Sequence, residues 1–393
     1  MKLAFVVQRY GADIAGGSEA HCRELAERLA GRHGITVLTT CARDYVTWAN
    51  AFPPGDTHEG GVLLRRFPVA RRRRLKVFAD LSDEVFAGPA PRDTQDEWFR
   101  ENGPDAPALI DHLRTHGGSY DVILFWAYRY FHSYFGLPLV ADRAVLVPTA
   151  EDDRAIDLDV LGDYFRLPAG YLFLTPEEER LVSTRAGRPL RPSEIIGSGL
   201  EPPAALDTRA ILDRHGIPPE YVLYLGRVDR NKGCDSLLEY FQAFADRSDA
   251  PVLVLAGPAK MLIPAHPRIR ALGYVPDDLR DALLAGARAL IVPSPYESLS
   301  IALLQGWNHG VPALVNARCR VLDGQVRRAN GGLSYRSGRE FEAALAYLLS
   351  DRTARNAFGR QGLAYVNREY RWPTVIERVE RLLDAVLNRT MRR

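Results

Sequence analysis

The 393-residue sequence is poor in cysteine, and its four cysteines, Cys22, Cys41, Cys234 and Cys319, form no C-x-x-C pair. That spacing argues against a zinc site or a disulfide framework and suits a reducing cytosol. Charge of one sign is also lacking. With 51 basic and 49 acidic residues the formal net charge is +2, so no global field favours nucleic acid as a partner. No long apolar run opens the chain: Leu3 to Val7 is followed at once by Gln8 and Arg9, too short for a signal segment or a membrane span. The first turn has neither the G-x-G-x-x-G spacing of a dinucleotide site nor the G-x-x-x-x-G-K of a P-loop. Internal repeats and low-complexity segments are absent too.

What is present is ordinary globular material, 46% hydrophobic and 25% charged, and enough of it for two cores. Short apolar runs recur between amphipathic stretches: Leu3 to Val7, Ile35 to Thr40, Val122 to Trp126, Ala144 to Val147 and Tyr171 to Thr175, then Tyr221 to Leu225, Val252 to Ala256 and Ala289 to Val292. Continuous apolar strands alternating with helical periodicity predict α/β architecture with parallel sheets covered on both faces. Ser18 is expected to cap the first helix, with Leu25, Ala26, Leu29 and Ala30 on one face. Residues 71 to 108, with Arg71, Arg72, Arg73, Arg74, several prolines and no clear period, read as an insertion outside the sheet. The stretch Gly197 to Pro203 suits an interdomain hinge. Domains are therefore expected at 1–198 and 199–372, with a closing amphipathic helix at 373–393 that packs back on the first domain.

Three segments carry candidate chemistry. Gly16 and Gly17 lie in the loop between the first strand and first helix, where backbone N–H groups can approach an anion. Arg227 and Lys232, five residues apart after a buried strand, supply a bidentate fork and a mobile point charge, the pair a diphosphate needs. Farther on, Glu297-Ser298-Leu299-Ser300 leads into an apolar helix containing Gln305, followed by Gly310-Val311-Pro312. Each segment alone also fits a structural turn.

The ordered set resembles the retaining glycosyltransferases of family 4. Their fold, GT-B, has two Rossmann-like domains facing across a cleft, with a C-terminal helix crossing back to the N-terminal domain. Their C-terminal domain carries a G-R-x-x-x-x-K-G segment and an E-x7-E motif followed by G-x-P. The resemblance implies an N-terminal acceptor domain and a C-terminal nucleotide-sugar domain. It places Arg227 and Lys232 on the donor diphosphate, Glu297 on the donor sugar, Gly16 and Gly17 near the phosphate or sugar, and Gly226, Ser298, Leu299 and Ser300 around the donor. Gln305 stands where the family usually has a second glutamate that holds the ribose; an amide can still accept and donate a hydrogen bond there. After the Ala144 to Val147 strand, where many relatives have a histidine, this chain has Glu151 in Pro148 to Asp153. Glu151 is read either as a carboxylate reaching a substrate hydroxyl or as an acidic helix start.

The implied activity is a retaining, metal-independent transfer from a nucleoside-diphosphate sugar, with Glu297, Arg227, Lys232 and Glu151 as the catalytic set, no cofactor and no metal site. The acceptor is unidentified: a glycan, a glycolipid or a polysaccharide precursor. A GT-B epimerase or hydrolase and a non-catalytic sugar-nucleotide-binding scaffold are the alternatives. The aromatic run Phe125, Trp126, Tyr128, Tyr130, Phe131, Tyr134 and Phe135 reads as core or as a sugar-stacking surface. The arginine run reads as solvated or as a contact to an anionic membrane surface, consistent with a cytoplasmic protein peripheral to the inner membrane face.

Overall fold

Apolar residues fill β1 (Lys2–Val6) so completely that only its first residue is exposed, as expected of a strand buried on both faces. The structure, a computed structural model, describes residues 1–14 and 16–390. It divides into two units, Met1–Gly197 with the chain from Ile376 on, and Ser198–Val375.

In the first unit β1 joins β2 (Gly34–Thr40), β3 (Gly55–Glu59), β4 (Val62–Phe67), β5 (Val122–Trp126), β6 (Ala144–Val147), β7 (Gly170–Phe173) and β8 (Ser193–Ile195). Their order is β3-β4-β2-β1-β5-β6-β7-β8. All neighbours pair in parallel except the β3–β4 hairpin, which turns on Gly60 and Gly61 at φ 57° and 80°, the backbone a two-residue hairpin requires. The second unit has β9 (Tyr221–Leu225), β10 (Val252–Ala256), β11 (Ile269–Gly273), β12 (Leu290–Val292), β13 (Ala313–Asn316) and β14 (Gly332–Tyr335). They are all parallel, in the order β11-β10-β9-β12-β13-β14. In each sheet the winding reverses once, between β1 and β5 and between β9 and β12. Open α/β sheets bind ligands at the strand carboxyl ends beside such a reversal.

Two local expectations are corrected. Ser18 does not cap the first helix, Gly17–Leu29, whose N-cap is Gly16 without a side-chain bond; the Ser18 hydroxyl instead accepts from Gln8 Nε2 at 3.1 Å and donates to Glu19 Oε2 at 2.9 Å. Residues 71–108 do lie outside the sheet, but they contain the helices Leu75–Ala87 and Arg92–Asn102. The second shows no apolar period because only Trp98 and Phe99 serve it, and both are buried. Trp98 packs against Phe78 and Phe86 of the first, with ring centroids 5.9 and 5.6 Å apart.

Those helices also engage the arginine run. Arg71 and Arg74 ion-pair with Glu97 and Glu101, while Arg73 donates to the carbonyls of Tyr45 and Asn102. Arg72 and Arg74 are exposed, and Glu97 and Glu101 stand among the basic groups. Of the aromatic run, Phe125, Trp126, Tyr128, Phe131 and Tyr134 are buried, which makes most of it core.

The last helix, Trp372–Thr390, buries Val379, Leu382, Leu383 and Val386. Leu382 and Val386 lie against Gly170, where a Cβ would come within 3.4 and 2.7 Å of them. Arg378 donates to Ile195 O at 3.2 Å, and Arg381 pairs with Glu194 at 3.1 Å. Four buried side chains of this size contribute on the order of 6 kcal/mol or more. Ending the chain at Arg371 is therefore expected to lower the first unit's melting temperature by roughly ten degrees or more, measured by scanning calorimetry; an unchanged transition would show that the helix is dispensable. Among the described residues no helix is long and apolar enough to cross a membrane.

Candidate functional site

The second unit builds its candidate site from the two loops that diverge beside β9 and β12. After β9 the chain turns at Gly226, φ 143°, against Gly257, φ 145°. A Cβ on Gly257 would stand 1.9 Å from Gly226 O, so only glycine permits this approach. The Tyr224 hydroxyl donates to Arg227 O at 2.7 Å and fixes the turn. Asp229 then organises both cations: its carboxylate accepts from Arg227 Nε and, at 3.1 Å, from the Lys232 backbone N–H. Gly233 follows at φ 71°, where a Cβ would lie 2.3 Å from Pro293 O. The β9 loop is thus seated directly on the β12 loop.

From β12 the chain passes through Pro293, whose carbonyl accepts from Asn316 Nδ2 at 3.0 Å, to Glu297. There the two loops meet: Lys232 Nζ donates to Glu297 Oε1 at 2.8 Å, although 65 positions separate them. Both side chains are mostly buried, at 31% and 12% exposure. A cation and a carboxylate are thereby fixed side by side, while Asp229 holds Arg227 within the β9 loop. Ser300 accepts from Leu303 N at 3.3 Å and caps the helix Ile301–Asn308. Leu299 and Ser300 are buried, so backbone rather than side chain is what they offer a ligand. Ser298 and Gln305 are half-buried. Cys319, at the start of the helix Arg320–Ala329, lies beside Glu297, and burial pushes its thiol up to about 11.

The remaining candidates belong to the first unit. Gly16 packs on a buried ion pair, Arg9 with Glu19, and a Cβ there would lie 2.2 Å from Glu19 Oε2. Gly17 opens the helix. The Arg9 guanidinium stands over the rings of Tyr45 and Trp48, 5.6 and 6.0 Å from their centroids. Glu151 follows β6 in a loop where Thr149 has φ 48°. Its carboxylate is 3.8 Å from Arg129 Nη2, which pairs more closely with Asp153 at 2.9 Å. The short helical turn that follows is capped by Asp153, which accepts from Ala155 N at 3.1 Å. The helix-start reading of Glu151 therefore belongs to Asp153 instead.

Glu178 clamps this loop from beneath. It is fully buried, and its two oxygens accept from Ala150 N and Leu174 N, each at 2.6 Å. Burial raises its carboxyl from 4.5 to about 8, against these backbone bonds, which lower it. Between those values the unfolded chain has released the proton that the folded chain still holds, so stability falls as pH rises from about 4.5 to about 8. Glutamine does not titrate. The destabilisation caused by Glu178→Gln should accordingly be larger at pH 5 than at pH 8 in chemical denaturation; a pH-independent difference would remove the titration.

Sequence reasoning did not single out Asp229, Tyr224, Gly257 or Asn316. The only local signal among them is Asp229, three residues before Lys232, which matches an N-cap pattern.

Residues 219–351 match the family model of the glycosyl transferases group 1. An O-antigen chain mannosyltransferase B of Escherichia coli is 28% identical over 175 residues, 41% of this chain and 43% of the relative; the match spans less than half of that protein. A sucrose-phosphate synthase from Thermosynechococcus elongatus superposes with a TM-score of 0.73 at 16% identity, over 98% of this chain and 99% of its own. An Anabaena protein, HepE, in complex with UDP and glucose, gives 0.70 at 13% identity, over 98% and 99%.

Proposed function

We propose that this chain, which belongs to the GT-B glycosyltransferases, is a retaining enzyme that moves a sugar from a nucleoside-diphosphate donor to a glycan, a glycolipid or a polysaccharide precursor. The observation that carries the reading is the Lys232–Glu297 contact, which joins the two loops of the second unit's switch point. In the proposed reaction Arg227 and Lys232 hold the diphosphate and neutralise the charge that grows on it as the glycosidic bond breaks. Two cations there supply charge that a metal ion provides in other enzymes, so the transfer is proposed to be metal-independent. Glu297 turns from Lys232 to the hydroxyls of the donor sugar. Leu299 and Ser300 present helix N-terminal N–H groups to phosphate, and Gln305 holds the ribose. Gly16 and Gly17 let backbone approach the donor, and Glu151 serves a substrate hydroxyl. The UDP and glucose bound to HepE support a nucleotide-sugar donor.

The test offers a panel of sugar nucleotides and acceptors to the full chain and reads the anomeric proton of the product by NMR. The reading expects a product with the donor's anomeric configuration. Inversion would refute retention, and tight binding of a sugar nucleotide with no transfer or hydrolysis would favour a scaffold.

A further inference from the structure

The parallel strands β6, β7 and β8 all begin at the amino-terminal end of the first unit's sheet, opposite the carboxyl-terminal end that carries Gly16, Gly17 and Glu151. The segments leading into them, with the end of the last helix, surround a cavity of about 380 Å³. Four arginines line it, Arg166, Arg188, Arg191 and Arg389, against a single carboxylate, Asp142. Asp142 is already engaged by Arg143 Nη2 at 3.0 Å. Arg166 and Arg191 have carboxylate partners, Asp163 and Glu179.

Among the described residues Arg188 and Arg389 have none. Among the described residues their hydrogen bonds go to backbone carbonyls, Arg188 Nη2 to Arg166 O at 3.1 Å and Arg389 Nη1 to Arg191 O at 3.0 Å. A carbonyl aims a guanidinium without neutralising it, and each fork, with five N–H donors, keeps most of them for another acceptor. The buried floor is Tyr171, whose hydroxyl lies within the field of Arg188 and donates to Phe165 O. Two aimed guanidiniums beside an open cavity suit a singly or doubly charged tetrahedral oxyanion. The volume lies in the range of small-molecule sites.

We propose that this cavity binds a phosphate monoester or diester group, as a second anion site separate from the second unit's Arg227–Lys232 pair. The group is carried either by a soluble phosphorylated compound or by the headgroup of an anionic lipid; the chemistry recognised is the same.

The experiment uses the full chain with two probes, glycerol 3-phosphate in solution and vesicles of phosphatidylglycerol, with phosphatidylcholine vesicles as the neutral control. Wild type is compared with Arg188→Ala/Arg389→Ala and with the charge-preserving Arg188→Lys/Arg389→Lys. The expected result is binding of at least one probe that weakens about tenfold or more in the alanine variant, is largely kept in the lysine variant and falls with added salt. Nucleoside-diphosphate affinity should not change. Binding of glycerol 3-phosphate identifies a soluble ligand, and binding of the anionic vesicles alone a lipid headgroup. A single Arg188→Glu variant, which must also lose the probe, gives a second reading if the double variant folds poorly. Equal binding by wild type and alanine variant, or no binding of either probe, overturns the proposal.

Discussion

Replacing Arg227 with alanine is expected to weaken nucleoside-diphosphate binding about ten- to a hundredfold, from the roughly 1.5 to 3 kcal/mol typical of a hydrogen bond to a charged group. The structure adds a reason for the upper end. Arg227 bonds Asp229, so the variant leaves that carboxylate unscreened beside the incoming phosphate, and repulsion joins the lost attraction. Lys232→Ala should act similarly, because it strips Glu297 of its cation. Turnover should fall at least as far as affinity, since the same charge grows on the leaving group. Isothermal titration with matched nucleoside and nucleoside diphosphate checks this: the nucleoside alone should bind both variants as it binds wild type.

The second large effect concerns Glu297. In the ligand-free chain its carboxylate holds Lys232, a contact that the donor phosphate must loosen. Glu297→Gln removes the charge that competes for Lys232, so diphosphate affinity should stay level or rise by a few-fold. Turnover, by contrast, should drop by on the order of a hundredfold or more, in the range seen when one preorganised polar group is removed from a transition state. Steady-state kinetics separate the two: a fall in kcat with unchanged or lower KM is expected. Loss of binding with turnover intact would place Glu297 on the phosphate instead of the sugar.

The sequence made the central strands legible because burial on both faces leaves unbroken apolar runs, as in β1, β5 and β9. It did not reveal β3, whose residues Gly55–Glu59 are almost entirely exposed and polar at the sheet edge, a composition that blunts edges. Nor did it reveal β8 or β14, which are short and only partly buried. The helices of residues 71–108 were hidden because pairing of Trp98 with Phe78 and Phe86 replaces a repeating stripe.

At the candidate site, Arg227 and Lys232 were legible from residue type and spacing, and Glu297 through the family resemblance. Their contact was not, because Lys232 and Glu297 are 65 positions apart and meet only through the parallel β9–β12 pairing. Asp229 escaped notice because a carboxylate between two cations reads as ordinary charge alternation until its bonds are seen. Gly257 escaped because its need for glycine comes from Gly226, across the sheet.

One titration tests the account most directly. Each nucleoside diphosphate and its parent nucleoside are added to the wild-type chain and to Lys232→Ala, and the dissociation constants are compared. The account predicts that wild type binds at least one diphosphate tenfold or more tightly than its nucleoside, and that this preference collapses in Lys232→Ala. A wild-type chain that binds the two alike, or a variant that keeps the preference, would contradict it.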